Sequence, residues 1–191
     1  MVHEQCDEEE LNSLIVRNIR EVYRLSYIYF KDDIDAEDIV KQVFWQYANR
    51  RPTFQEMEEE KFWFTKINIK LCKELSNVMW LLKRLTGDYI NIEKKQIPES
   101  LDNFLEWSRS HRIVFYLHIF HKLSSKQISE LLKKKEKTIS LWLKQIEEEY
   151  NFDGMKLTDY FENLAIPSTL EEEIKNMLYQ RMIINIECGC Y

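Results

Sequence analysis

The chain has 191 residues, 45% hydrophobic and 13% aromatic, with only three glycines, three prolines and a formal net charge of -6. That composition excludes a disordered chain and suffices for one or two packed cores; few turn formers beside many helix formers make an all-α protein the first expectation. No apolar run approaches the length needed to cross a bilayer, and the start "MVHEQCDEEE" is acidic where a signal peptide is basic and then apolar. A cytoplasmic protein with no membrane partner is therefore expected.

In chain order, Leu11, Leu14, Ile15, Ile19, Val22, Tyr23, Leu25, Ile28 and Tyr29 recur at the three-and-four spacing of an amphipathic helix over 9–30. "KDDID" breaks it and caps a second helix, over about 35–49, that buries Ile39, Val40, Val43, Phe44 and Tyr47 and stops before Pro52. A third and longest helix runs from 54 or 56 to 85, with Glu56, Glu58, Glu59 and Glu60 at its positive end and Lys83 and Arg84 at its negative end. "TGDYINIEKKQIPES", 86–100, has no helical period and reads as a linker.

Beyond it the spacing predicts one helix over 101–120, a short one over 124–132, a basic turn "KKKEK", and a longer helix to about 150. Two helices joined by a turn of a few residues, the second presented outward, have the outline of a helix-turn-helix, with Ile128, Leu131, Ile139, Leu143 and Ile146 packing the pair. Two short amphipathic helices split by Pro167 are expected in the tail. The domain reading is thus 1–85 as a first helical domain, 86–100 as linker, 101–150 as a helix-turn-helix domain, and 151–191 as an acidic amphipathic tail.

Charge is sorted along the chain. Residues 1–60 hold 7 Lys and Arg against 15 Asp and Glu, residues 109–146 hold 9 against 2, and residues 147–191 hold 3 against 10. A basic interior between acidic flanks suits a polyanion-binding element joined to surfaces for basic partners. Cys6, Cys72, Cys188 and Cys190 are too few and too oddly spaced for a disulfide framework. Neither these thiols with His3 nor the helical set His111, His118 and His121 is expected to hold a metal, and no cofactor is expected. A glycine-rich phosphate loop, an H-E-x-x-H pair and a nucleophile elbow are all absent, so an enzyme is not expected.

The first domain contains "DAEDIVKQVF" and the second "LSSKQISELLKKKEKTISLWLKQIEEEY". Over roughly residues 10–150 this order resembles a bacterial RNA polymerase sigma factor of the extracytoplasmic-function group. The likeness rests on Asp35, Ala36, Glu37, Asp38, Val40, Val43 and Phe44, then Trp63, Lys66 and Ile67, and in the second domain on Leu123, Ser124, Ile128, Leu131, Leu132, Glu136, Thr138 and Ile139. What the resemblance implies is transcription initiation, with core RNA polymerase and promoter DNA as partners and an anti-sigma factor as a further one.

Asp35, Glu37, Asp38 and Gln42 would then meet a basic helix of the polymerase clamp, where charge pairs steer association. Arg50, Arg51 and Phe54 lie where such factors capture a flipped base of the minus-ten element, and Trp63, Lys66, Lys70 and Lys73 continue a basic stripe beside an aromatic. Trp45, Phe62, Trp63 and Phe64 also suit a core. Lys134, Lys135 and Lys137 would position the second domain on minus-thirty-five phosphates, with Thr138, Ser140 and Lys144 reaching the major groove.

Departures from the family pattern are specific. Lys41 and Gln42 replace glutamine and glutamate, Lys70 replaces an asparagine, and the turn lacks its glycine, which puts a non-glycine residue in a left-handed conformation or changes the turn. Ser140, Leu141 and Trp142 replace Lys-Ser-Arg, and Glu147, Glu148 and Glu149 stand at the usually basic exit. Trp142 reads as an outward residue for a protein contact or for the tail. The alternative function is a sigma-like adaptor that binds polymerase or a regulator without selecting promoters. The charge contrast also suggests that the tail covers the basic face of the second domain in self-inhibition; the competing expectation is a docking helix that completes the domain core.

Overall fold

The computed structural model describes the backbone over residues 2–86, 104–149 and 161–187, and side chains over 9–79, 104–148 and 161–180. All regular structure among these residues is helical: α1 (Val2–Phe30), α2 (Asp33–Arg50), α3 (Met57–Thr86), α4 (Arg109–Ile119), α5 (Ser125–Leu132), α6 (Glu136–Glu149) and α7 (Leu170–Glu187). Residues 104–106 and 161–162 are helical as well. The fold is all-α, as the composition predicts. Among the described residues no helix is long and apolar enough to cross a membrane. Most of the expected linker, and the side chains of Cys6, Cys188, Cys190 and His3, lie outside the described residues.

The single helix predicted over 101–120 is broken. Ser108 takes an extended ψ of 146° and its side chain accepts from the His111 N–H at 3.3 Å, which starts α4 afresh. A serine offering its own oxygen to free backbone donors competes with helix continuation, so the break follows from local chemistry.

With glycine scarce, other helix ends are closed by basic residues in left-handed geometry: Lys31 (φ 63°), Arg51 (φ 40°), Lys122 (φ 55°) and Lys133 (φ 54°). The backbone conformation costs about 1–2 kcal/mol for a residue with a Cβ, partly offset where the cation sits at the negative end of the helix.

The chain divides into two compact units, 1–26 with 33–71 and 165–191, and 27–32 with 72–164. The C-terminal helix thus groups with the first unit and the part of α3 from 72 onward with the second.

In the first unit, Ile15, Ile19 and Val22 of α1, Ile39, Val40, Val43 and Phe44 of α2, Phe64 and Ile67 of α3, and Leu170, Ile174 and Leu178 of α7 are buried. Such a side chain contributes roughly 1.5–3 kcal/mol when fully removed from water. Helix α7 packs along α2, with Lys41 Nζ 2.7 Å from Glu173 Oε2. Buried polar groups tie α1 to α3. Asn68 donates to the Val22 carbonyl at 2.7 Å, and the Ser26 hydroxyl donates to the same carbonyl at 2.8 Å and lies 3.2 Å from Asn68 Oδ1. Glu60, only 7% exposed, accepts from Asn18 and from both Nε and Nη2 of Arg17. A carboxylate this buried requires those donors, since stranding it without partners costs several kcal/mol.

The second unit is centred on aromatics: Phe104 meets Trp107, Phe115 and Phe161 at 5.0–5.6 Å, and Phe161 meets Tyr116 and Phe120. Arg112, 4% exposed, donates to the carbonyls of Ile28, Leu105 and Trp107. Burial, and secondarily the neighbouring Arg109, push its guanidinium down to about 10. It nevertheless ties the last turn of α1 to the 105–107 segment that precedes α4.

Candidate nucleic-acid interface

The second unit contains a helix-turn-helix. Ser124 accepts from the Gln127 N–H, and the Gln127 side chain accepts from the Ser124 N–H at 2.9 Å, a capping box that starts α5. The helix ends in a Schellman turn: Lys133 N–H donates to the Glu130 carbonyl and Lys134 N–H to the Ser129 carbonyl at 3.0 Å. Lys133 therefore occupies the left-handed position that the sequence, lacking glycine there, has to fill with a side-chain-bearing residue. Ser125 Oγ donates to Glu136 Oε1 at 2.9 Å, fixing the start of α6 beside the start of α5. Ile128, Leu131, Leu132, Ile139 and Ile146 are buried as α4, α5 and α6 pack together.

That packing turns one face of α6 outward. Lys134 and Lys135 of the turn and Lys137, Ser140 and Lys144 of the helix are exposed, whereas Thr138 is half-buried. Lys137, Ser140 and Lys144 share one stripe at intervals of three and four residues. Ser140 Oγ donates to the Glu136 carbonyl, and Lys144 lies 3.4 Å from Glu148, an exposed pair of small energetic weight.

Trp142 is a correction. It is half-buried with its ring 5.8 Å from that of His111, while Leu141 is the outward residue at 54% exposure. Residues 139 and 146 lie three before and four after Trp142, so the helical register that buries both isoleucines draws it inward; the sequence contained this signal. Helix α7 of the tail packs on α2 within the first unit.

In the first unit, Asp38 and Gln42 are exposed on α2, with Asp35 and Glu37 partly exposed. Ile34, 72% exposed, and Trp45, 37% exposed, extend the same outward stripe. The α7 side lies along Lys41, leaving the acidic edge in solvent.

Arg50 and Arg51 are exposed at the end of α2, and Lys66 and Lys70 lie one turn apart on the exposed side of α3. Phe54 and Trp63 are half-buried and meet edge-on at 6.1 Å, and Trp63 also contacts Tyr47 and Phe64. Trp63 is thus one wall of an aromatic cluster with Tyr47, Phe54 and Phe64. Burial, reinforced by Glu10 and Glu60, raises the Tyr47 hydroxyl above its ordinary value.

Lys73 departs from the basic stripe. Its Nζ donates to the Leu132 carbonyl at 3.0 Å, capping the end of α5, and burial followed by Lys133 and Lys134 lowers its ammonium below the usual lysine value. The acceptor is a helix end remote in sequence, which periodicity along α3 does not reveal.

The three histidines of the α4 region serve packing. His118 Nδ1 lies 3.0 Å from the Leu123 carbonyl, and His121 lies against Tyr116. Among the described residues, no group of three or more His, Cys, Asp or Glu is placed to hold a metal ion.

Comparison with family models, curated proteins and solved structures finds no match to this chain.

Proposed function

We propose that the chain is a sigma-like transcription initiation factor that directs core RNA polymerase to promoters in the cytoplasm. The observation that supports this most strongly is the helix-turn-helix with an exposed, lysine-bearing outer face on α6. In this reading α6 enters the major groove of the minus-thirty-five element, with Lys134, Lys135, Lys137 and Lys144 neutralising phosphates. Asp35, Glu37, Asp38 and Gln42 dock on the polymerase clamp. Arg50, Arg51, Lys66 and Lys70 follow the melted minus-ten strand, with Phe54 and Trp63 beside its bases. An anti-sigma factor is a further partner, and no catalytic step or cofactor belongs to the reading.

A second reading, an adaptor that binds polymerase or a regulator without promoter selection, is favoured by the pairing of Lys144 with Glu148 and by exposed Glu147 at the exit of α6. Acids there oppose phosphate. The two readings separate in one experiment: retention of the full chain on core RNA polymerase, followed by run-off transcription over genomic fragments. Transcripts from a defined set of start sites support initiation, and binding without transcripts supports the adaptor. Loss of polymerase retention in Asp38→Arg supports the docking edge; unchanged retention removes it.

A further inference from the structure

We propose that Leu141 is a specificity residue of α6, packing on the C5-methyl group of a thymine in the major groove of duplex DNA. This rests on the duplex-reading part of the proposed function and assigns a base-reading role to an apolar residue there.

Leu141 is 54% exposed although the other apolar residues of α6 are in use: Ile139 and Ile146 are buried, and Trp142 and Leu143 are half-buried. Core packing therefore does not account for it. Its outward neighbours are Ser140 beside it, Lys137 one turn before and Lys144 one turn after, all exposed. An apolar tip framed by two cations matches a groove whose walls are phosphates and whose floor displays thymine methyls as its apolar feature. An apolar groove on a partner protein is the other surface that would accept a leucine, but it would also have to accommodate Lys137 and Lys144. The acids facing this element are Glu136, which accepts from Ser125, and Glu147 and Glu148 in the last turns. Leu141 precedes those last turns, and the N-terminal part of a recognition helix is the part that reaches base edges.

The experiment uses the full chain and a random-core duplex pool at low salt, about 50 mM, where phosphate contacts are strongest. Each thymine of an enriched duplex is then replaced singly by deoxyuridine, which removes only the methyl group. Expected is a position at which the replacement weakens binding about fourfold, the equivalent of one buried methyl group. Leu141→Ala should abolish that ratio while retaining the salt dependence, and Leu141→Met should preserve it. Binding indifferent to deoxyuridine at every position, or a ratio unchanged in Leu141→Ala, overturns the inference and leaves the proposed function standing. Absence of duplex binding overturns both the inference and promoter reading, and assigns the exposed leucine to a protein partner.

Discussion

The Tyr179 hydroxyl donates to Asn12 Oδ1 at 2.9 Å, across 167 residues of sequence. This bond joins α7 to α1, and Leu170, Ile174 and Leu178 on α7 are buried. The C-terminal helix is therefore part of the first unit's core. Ile174→Ala, which opens a cavity at a fully buried position, should destabilise the protein by about 2–4 kcal/mol in urea unfolding. Tyr179→Phe should cost about 1 kcal/mol, since the partner Asn12 keeps access to water. Truncation after residue 164 should lower the melting temperature; a truncated chain as stable as the full one would show α7 to be dispensable.

The electrostatic pairing of the same helix gives a pH dependence with a definite sign. Hydrogen bonding to Lys41, then to Thr169, lowers the Glu173 carboxyl below its ordinary 4.5. A depressed folded value means that the unfolded state binds the proton more tightly. The contribution is thus present above about 4.5 and lost as pH falls through the lower folded value. Glu173→Gln should remove this part of the acid-side slope and leave stability at neutral pH only slightly changed, because the pair is exposed. Urea midpoints measured on both proteins between neutral and acidic pH test it.

The helical class, and the helix-turn-helix from Ser124 to Ile146, were legible because period and turn chemistry are local. The partner of α7 was not. The opposite charges of residues 109–146 and 147–191 point the tail towards the basic segment, yet three buried apolar residues and one ion pair place it on α2. Burial of apolar area outweighs a screened charge contrast. Lys73 fails for a related reason: its carbonyl acceptor at Leu132 belongs to another helix. The candidate DNA face was legible in its lysines and misread at one place, where the register exchanges Leu141 for Trp142.

The turn of the helix-turn-helix offers a stabilising substitution. Lys133 holds φ 54° and ψ 47°, a conformation that glycine adopts without the Cβ penalty. Lys133→Gly should raise stability by about 0.5–1 kcal/mol, the relief of strain exceeding the greater entropy of the unfolded chain. Destabilisation instead would mean that Lys133, through its charge at the end of α5, contributes more than its backbone costs. Lys133→Asn, which tolerates the same conformation without the charge, separates these two effects.

Lys66, Lys70 and Lys73 resemble one another in sequence and, under the proposed function with its single-stranded DNA ligand, should behave differently. Lys66 and Lys70 are exposed, whereas Lys73 is half-buried and donates to the Leu132 carbonyl. Lys73→Met should therefore cost about 1 kcal/mol of stability, the net value of one such hydrogen bond, and leave binding to single-stranded DNA with its original salt dependence. Lys66→Ala and Lys70→Ala should do the reverse: little change in stability, and a salt slope shallower by about 0.7 for each phosphate no longer neutralised. The slope is read from affinities measured across a salt series by fluorescence anisotropy. If Lys73→Met flattened the slope as much as Lys66→Ala, the ammonium would have to leave the end of α5 and join the DNA in the complex, and its role as a cap would be confined to the free protein.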